Sequence, residues 1–149
     1  MKGLIFIWDS GWFHPQAELT LWHDLAISYN IDTLVMIPDL KIFDYQDLTF
    51  QKFETLEEAL KALEGKGTFV FLEPKSTIEE HGYKGEDLKD FKHPTDAIYI
   101  FGNSGRSNIG SYNPERGDKI VYISTPVTTQ IWSIEIAAMV LYDRELKGS

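Results

Sequence analysis

DAIYIFGNSGRSNIGSY, residues 96–112, begins as a strand and ends as a loop built to hold something. Ala97 to Phe101 are strand formers without a polar partner at alternate positions, as in a strand buried on both faces. Gly102 and Gly105 permit a turn or the close approach of a ligand. Asn103 and Asn108 tolerate left-handed backbone, and Arg106 carries a fixed fork of donors. The phosphate-loop pattern G-x-x-x-x-G-K-[ST] is missing here, and G-x-G-x-x-G does not follow the first strand.

Working outward, apolar runs and helical patterns alternate along the chain, which predicts βα units and a mostly parallel sheet flanked by helices. GLIFIW (3–8), DTLVMIP (32–38), TFVFLEP (68–74), AIYIFG (97–102) and KIVYIS (119–124) read as strands. A helix is expected from Ala17 to Tyr29, its apolar face carrying Leu21, Leu25 and Tyr29 with Trp22 and Ala26 alongside, and Asn30 is its stop. Residues 39–54 read as loop with a short strand. Thr55 followed by Glu58 forms a capping box that opens LEEALKALEG, which Gly65 ends. Residues 75–96 are polar, with one or two helical turns near GEDLKDF, and residues 115–118 read as solvated loop. In the final helix, 128–146, Ile131, Ile134, Ala138 and Leu141 share a face that Ala137 and Val140 broaden. The whole chain, 1–149, is expected to be one domain, because its length and 43% hydrophobic content suit a single core.

Composition narrows the function. Fourteen basic against 23 acidic residues give a net charge of −9, so binding to a phosphate backbone needs a local basic patch or a partner. With no cysteine, disulfides, thiolate zinc sites and a cysteine nucleophile are excluded, which fits a reducing compartment and leads to an expectation of the cytoplasm. No run approaches the ~20 apolar residues of a membrane span.

As a set, the carboxyl-terminal pieces resemble the SPOUT superfamily of RNA methyltransferases, particularly the small ribose 2′-O-methyltransferases of transfer or ribosomal RNA. IYIFGNSGR resembles that family's F-G-N/P-E-x-R/G-G loop, and IAAMVLYDREL resembles its V-A-x-x-I-x-L-Y-E helix. Upstream, AISYNIDTLVMI and FETLEEALKAL match A-A-N-F-G-V-D-x-L-I-L-V and Y-x-T-L-E-E-A-L in the same order. The resemblance implies a trefoil knot near the carboxyl terminus, S-adenosylmethionine held in it, an RNA substrate and a homodimer. It also implies cofactor-binding roles for Phe101, Gly102, Asn103, Gly105, Ile123, Thr125 and Ile131.

Departures fall on the polar positions. In the first helix Asp24 stands where the family has its catalytic Arg, with Glu18 and Leu21 at two Asn positions. Ser104 replaces the loop Glu, and Gln130-Ile131-Trp132 replaces Ser-Leu-Asn. On this reading Asp24 or His23 would assist deprotonation, and Arg106 would bind RNA phosphate or the cofactor carboxylate. The alternative for His23, Asp24, His14 and Glu18 is exposed helix-surface polarity. His81 and His93 lie in the polar middle segment without metal-like spacing. Trp12, Trp22 and Trp132 either stack on a base or pack the structure. Two other functions remain open: a catalytically silent dimer that binds RNA or a basic protein partner, and an unrelated flavodoxin-like nucleotide binder.

Overall fold

The computed structural model describes residues 1–9, 14–42, 44–103, 106–127 and 131–148. The strands are β1 (Gly3–Ile7), β2 (Thr33–Ile37), β3 (Thr49–Lys52), β4 (Thr68–Leu72), β5 (Glu86–Asp87), β6 (Ala97–Phe101) and β7 (Lys119–Tyr122). They form one sheet in the order β3-β2-β1-β6-β4-β7-β5, and every pairing is parallel. Parallel neighbours require crossovers over the sheet faces, so both faces are covered.

Alternation along the strands divides the core. Leu4, Phe6, Leu34, Met36, Tyr99, Phe101 and Val121 point to one face, where α1 (Pro15–Ser28) and α4 (Ser133–Leu146) supply Leu19, Trp22, Ala26, Ala137, Val140 and Leu141. Ile5, Val35, Phe69, Phe71, Ile98, Ile100 and Ile120 point to the other. There α2 (Leu56–Leu63) and α3 (Lys75–Glu80) contribute Leu56, Ala59, Leu60, Leu63 and Ile78. The expected α/β architecture with a mostly parallel sheet is therefore observed.

Local signals act as their chemistry requires. His14 caps α1, its Nδ1 accepting from Gln16 N–H at 3.2 Å, and Asn30 ends the helical segment in the left-handed region at φ 55°. Thr55 Oγ1 accepts from Glu58 N–H at 3.2 Å at the start of α2. The short strand expected within 39–54 is β3, on the sheet edge.

Several expectations need correction. Leu21 was placed on the buried face of the first helix but is 43% exposed; Leu19, Trp22 and Ala26 are the residues that face the sheet. Trp22 stacks on Phe6 with ring centroids 4.9 Å apart, a core role. Residues 75–96 hold α3, β5 and a 3₁₀ turn at 88–90 instead of only surface turns. His93 is buried, although it sits in a polar stretch: Nδ1 lies 2.8 Å from Tyr99 Oη and Nε2 2.7 Å from Asp143 Oδ2. Asp118, expected in solvated loop, is buried against Arg116, whose Nη2 lies 2.6 Å away.

The His93 network docks α4. Arg144, buried on the inner side of that helix, donates to the carbonyls of Pro94 (2.7 Å) and Thr95 (2.8 Å) and to Tyr99 Oη (2.9 Å). Removing its guanidinium leaves three acceptors without their donor. Arg144→Ala is expected to lower unfolding free energy by ~2–4 kcal/mol in a denaturant titration, well beyond an exposed Lys→Ala change on the same helix.

Candidate functional site

Because all strands run one way, their carboxyl ends share one rim, and a cleft opens there. It has a volume of about 870 Å³, large enough for a nucleoside-sized ligand. Its floor is the ends of β4 and β7, at Leu72 and Val121. One wall is the segment after β6, with Gly102, Asn103, Arg106 and Ser107. The opposite side is closed by Ile123, Thr125, Ile131, Trp132 and Ser133, on the way into α4.

Two ties hold these walls. Ser133 Oγ donates to the Gly102 carbonyl at 2.5 Å, fastening the start of α4 to the end of β6. Across the cleft, the Ser107 hydroxyl donates to Glu73 Oε1 and Asn108 N–H reaches Oε2 at 3.4 Å. Glu73 directly follows β4 and is only 6% exposed. Burial pushes its carboxyl above the usual carboxylate range, and the hydrogen bonds from Ser107 and Asn108 offset part of that rise.

Gly102 marks the tightest approach. Asn103 and Arg106 pair as a small antiparallel bridge, with N···O distances of 3.3 and 3.2 Å. A Cβ on Gly102 would meet the Arg106 carbonyl oxygen at 2.6 Å, so only glycine fits this conformation. Beside it, Asn108 is 5% exposed and its Nδ2 has no hydrogen-bond partner among the described residues.

Of the residues named from the sequence, Gly102, Asn103, Arg106, Ile123, Thr125 and Ile131 line this cleft together. Phe101 lies beneath it in the core, against Trp22 at 5.3 Å. Gly105, Ser104, Trp12 and Gln130 lie outside the described residues. Sequence reasoning missed Glu73, Ser107 and Ser133. TFVFLEP does carry a signal for Glu73, since a carboxylate at the carboxyl end of a buried strand faces the rim.

His23 and Asp24 stand elsewhere, on α1, and neither lines the cleft. His23 is 8% exposed, so it is not the exposed helix polarity given as the alternative. Nδ1 lies 2.9 Å from Asp24 Oδ1, Nε2 lies 2.9 Å from Asp47, and the ring stacks on Tyr45 at 3.7 Å. Burial alone depresses its pKa, yet the bonds to Asp24 and Asp47 outweigh this and raise it. Glu18 is buried too, accepting from Asp9 N–H (3.0 Å) and Trp22 Nε1 (3.2 Å), and burial raises its pKa.

No protein-family model and no curated protein matches the sequence. Solved structures do match in shape. A candidate RNA methyltransferase of the TrmH family from Porphyromonas gingivalis aligns over 99% of this chain with TM-score 0.67 at 12% identity. The SpoU methyltransferase AviRb from Streptomyces viridochromogenes, solved with S-adenosylmethionine, aligns over 97% with TM-score 0.68 at 12% identity. An RNA 2′-O ribose methyltransferase aligns over 97% with TM-score 0.72 at 11% identity. The fold is that of the SpoU and TrmH methyltransferases. The chain spans 61%, 59% and 55% of the length of these three proteins. At the level of fold, the likeness to SPOUT enzymes read from the sequence is borne out.

Two outcomes are expected. Gly102→Ala should displace the Arg106 carbonyl and spread amide shift changes over residues 102–108 in a heteronuclear NMR spectrum, while the α2 amides stay in place. His23→Gln should cost more stability at pH 6 than at pH 8, by up to ~1 kcal/mol. A raised histidine pKa contributes its stability below the ordinary value near 6.5, and that contribution is lost as pH climbs through the folded value.

Proposed function

We propose that this chain is an S-adenosylmethionine-dependent RNA methyltransferase of the SpoU/TrmH type, acting on a ribose 2′-oxygen. The carrying observation is the 870 Å³ cleft at the carboxyl ends of β4, β6 and β7, in a fold whose solved examples include one with S-adenosylmethionine bound. The residues suit that cofactor: the free Nδ2 of Asn108 offers a donor, Gly102 leaves room for close approach, and Ile123 and Ile131 offer apolar walls to an adenine.

In this reading the trefoil knot comprises the segments from β6 to α4. The tie from Ser133 to Gly102, which sets the start of α4 against the end of β6, supports it. When bound, the cofactor supplies a methyl group on a positively charged sulfur. The chain's own part is to orient and to exclude water, so positioning carries much of the rate. Gly102, Asn103, Ile123, Thr125 and Ile131 hold the cofactor. Arg106 is exposed at the cleft mouth and holds an RNA phosphate or the cofactor carboxylate. His23 and Asp24 lie outside the lining, so a hydroxyl held in this cleft would pass its proton to water or to a cleft group and not directly to them.

A homodimer fits the surface. Met139, Tyr142 and Leu146 recur at three- and four-residue intervals on α4 and are exposed, as is Leu21 on α1. The silent-dimer reading is favoured by one observation, the net charge of −9, which disfavours a polyanionic substrate.

Calorimetric titration of the full chain with S-adenosylmethionine tests the proposal, followed by transfer of labelled methyl groups to RNA. One site per chain with methyl transfer is the expected result, and Arg106→Ala should weaken RNA or cofactor binding about tenfold. Binding without transfer would favour the silent dimer; absence of binding would overturn the cofactor reading.

A further inference from the structure

The cleft holds a buried carboxylate with no counter-charge. Glu73 lines it, and the two donors that reach its carboxyl, the Ser107 hydroxyl and Asn108 N–H, are neutral. Among the described residues no Lys, Arg or His lies within ion-pair distance of Glu73. Lys75 turns to Glu79 at 3.9 Å and sits 5.3 Å over the Tyr122 ring. His81 Nδ1 lies 2.9 Å from the Thr77 carbonyl and acts on Glu73 only through longer-range attraction.

Leu72, Val121, Ile123, Ile131 and Ile136 give the cleft an apolar part beside its polar walls. A carboxylate in such surroundings is costly unless a positive charge joins it. Among the described residues none lies at contact distance, and Glu73 lines the cleft where a ligand would sit.

We infer that Glu73 is the charge-selecting residue of the cleft, its carboxylate the counter-ion for a cationic group of the bound ligand. The identity of that ligand rests on the function proposed above. With that ligand, Glu73 favours the cationic sulfonium cofactor over its neutral thioether product. Methyl transfer breaks the sulfur–methyl bond, leaves the electron pair on sulfur, forms the oxygen–methyl bond and releases the hydroxyl proton to water. The charge that held the ligand to Glu73 disappears in the same step, so the product leaves more readily than the cofactor.

A proton linkage accompanies this selection. The charged groups facing Glu73 are Lys75, Glu79 and His81 from α3 and the turn after it, and Arg106 from the segment after β6; the lining residues of β7 and of 131–136 carry no charge. Burial holds the carboxyl above its usual range, so a cation that binds the ionised form expels a proton. Affinity for the cation therefore increases as pH rises through the raised value and then levels off.

Calorimetry with S-adenosylmethionine and S-adenosylhomocysteine, on wild type and Glu73→Gln, tests the inference. Gln keeps the shape and an acceptor for Ser107. Wild type should prefer the sulfonium by about tenfold or more, and Glu73→Gln should bring the two affinities close together. An unchanged preference would overturn the inference. If the variant does not fold, wild type alone decides: proton release on binding the sulfonium but not the thioether, measured in two buffers of different ionisation enthalpy, supports it, and equal release overturns it. Should neither compound bind wild type, the cofactor reading fails separately. Trimethylsulfonium is then titrated by NMR: pH-dependent shifts at the Ser107 and Asn108 amides support a cation site at Glu73, and unmoved amides overturn it.

Discussion

Seven strands running in one direction impose a constraint from which most of this molecule follows. Parallel neighbours cannot be joined by tight turns, so the chain must cross a face of the sheet between them. Each crossing buries a face, which is why Leu4 and Phe6 pack beneath α1 and α4 while Ile5 packs on the side of α2 and α3. The same constraint places every strand's carboxyl end on one rim. Loops that are far apart in sequence, after β4, β6 and β7, are brought together there, and the cleft is the space between them.

What keeps that rim in order is polar. Ser133 fastens α4 to the end of β6, and Glu73 fastens the end of β4 to residues 107 and 108. Further along, His93, Tyr99, Asp143 and Arg144 form a buried network that docks α4 onto β6 and the segment before it. Buried polar groups are costly unless satisfied, and satisfied ones accept few alternative arrangements. The two orphaned side-chain atoms among the described residues are Gln51 Oε1 and Asn108 Nδ2, and the second lies beside the cleft. That donor and the buried carboxyl of Glu73, which has no ion-pair partner among the described residues, are the observations on which the proposed ligand site rests.

Much of the fold was legible because the apolar strand runs are strong in this chain. GLIFI, TLVMI, TFVFL and AIYIF are unbroken apolar strands, and no other arrangement buries them as cheaply as a two-faced sheet. The helix faces were less legible. In α1 apolar residues occupy both sides, and only the position of the sheet decides that Leu19 is buried and Leu21 exposed. Polar stretches misled for a related reason: His93 and Asp118 look solvated in sequence, yet each finds a partner, Asp143 fifty residues away and Arg116 on the preceding turn.

By itself the sequence determined the α/β class, the positions of β1, β2, β4, β6 and β7 and the glycine-bearing loop after β6, since these depend on local propensity and short-range pattern. Tertiary structure alone decided which side chains line the cleft. It set His23 on α1, outside the cleft lining, with its two ring nitrogens on Asp24 and Asp47. It brought in Glu73, whose place at the end of a buried strand is legible in TFVFLEP but whose neighbours are not, because the sheet sets the end of β4 beside the end of β6 and buries it there. The electrostatic character of a carboxylate comes from what surrounds it, and residues 73, 107 and 108 meet only when the strands pair.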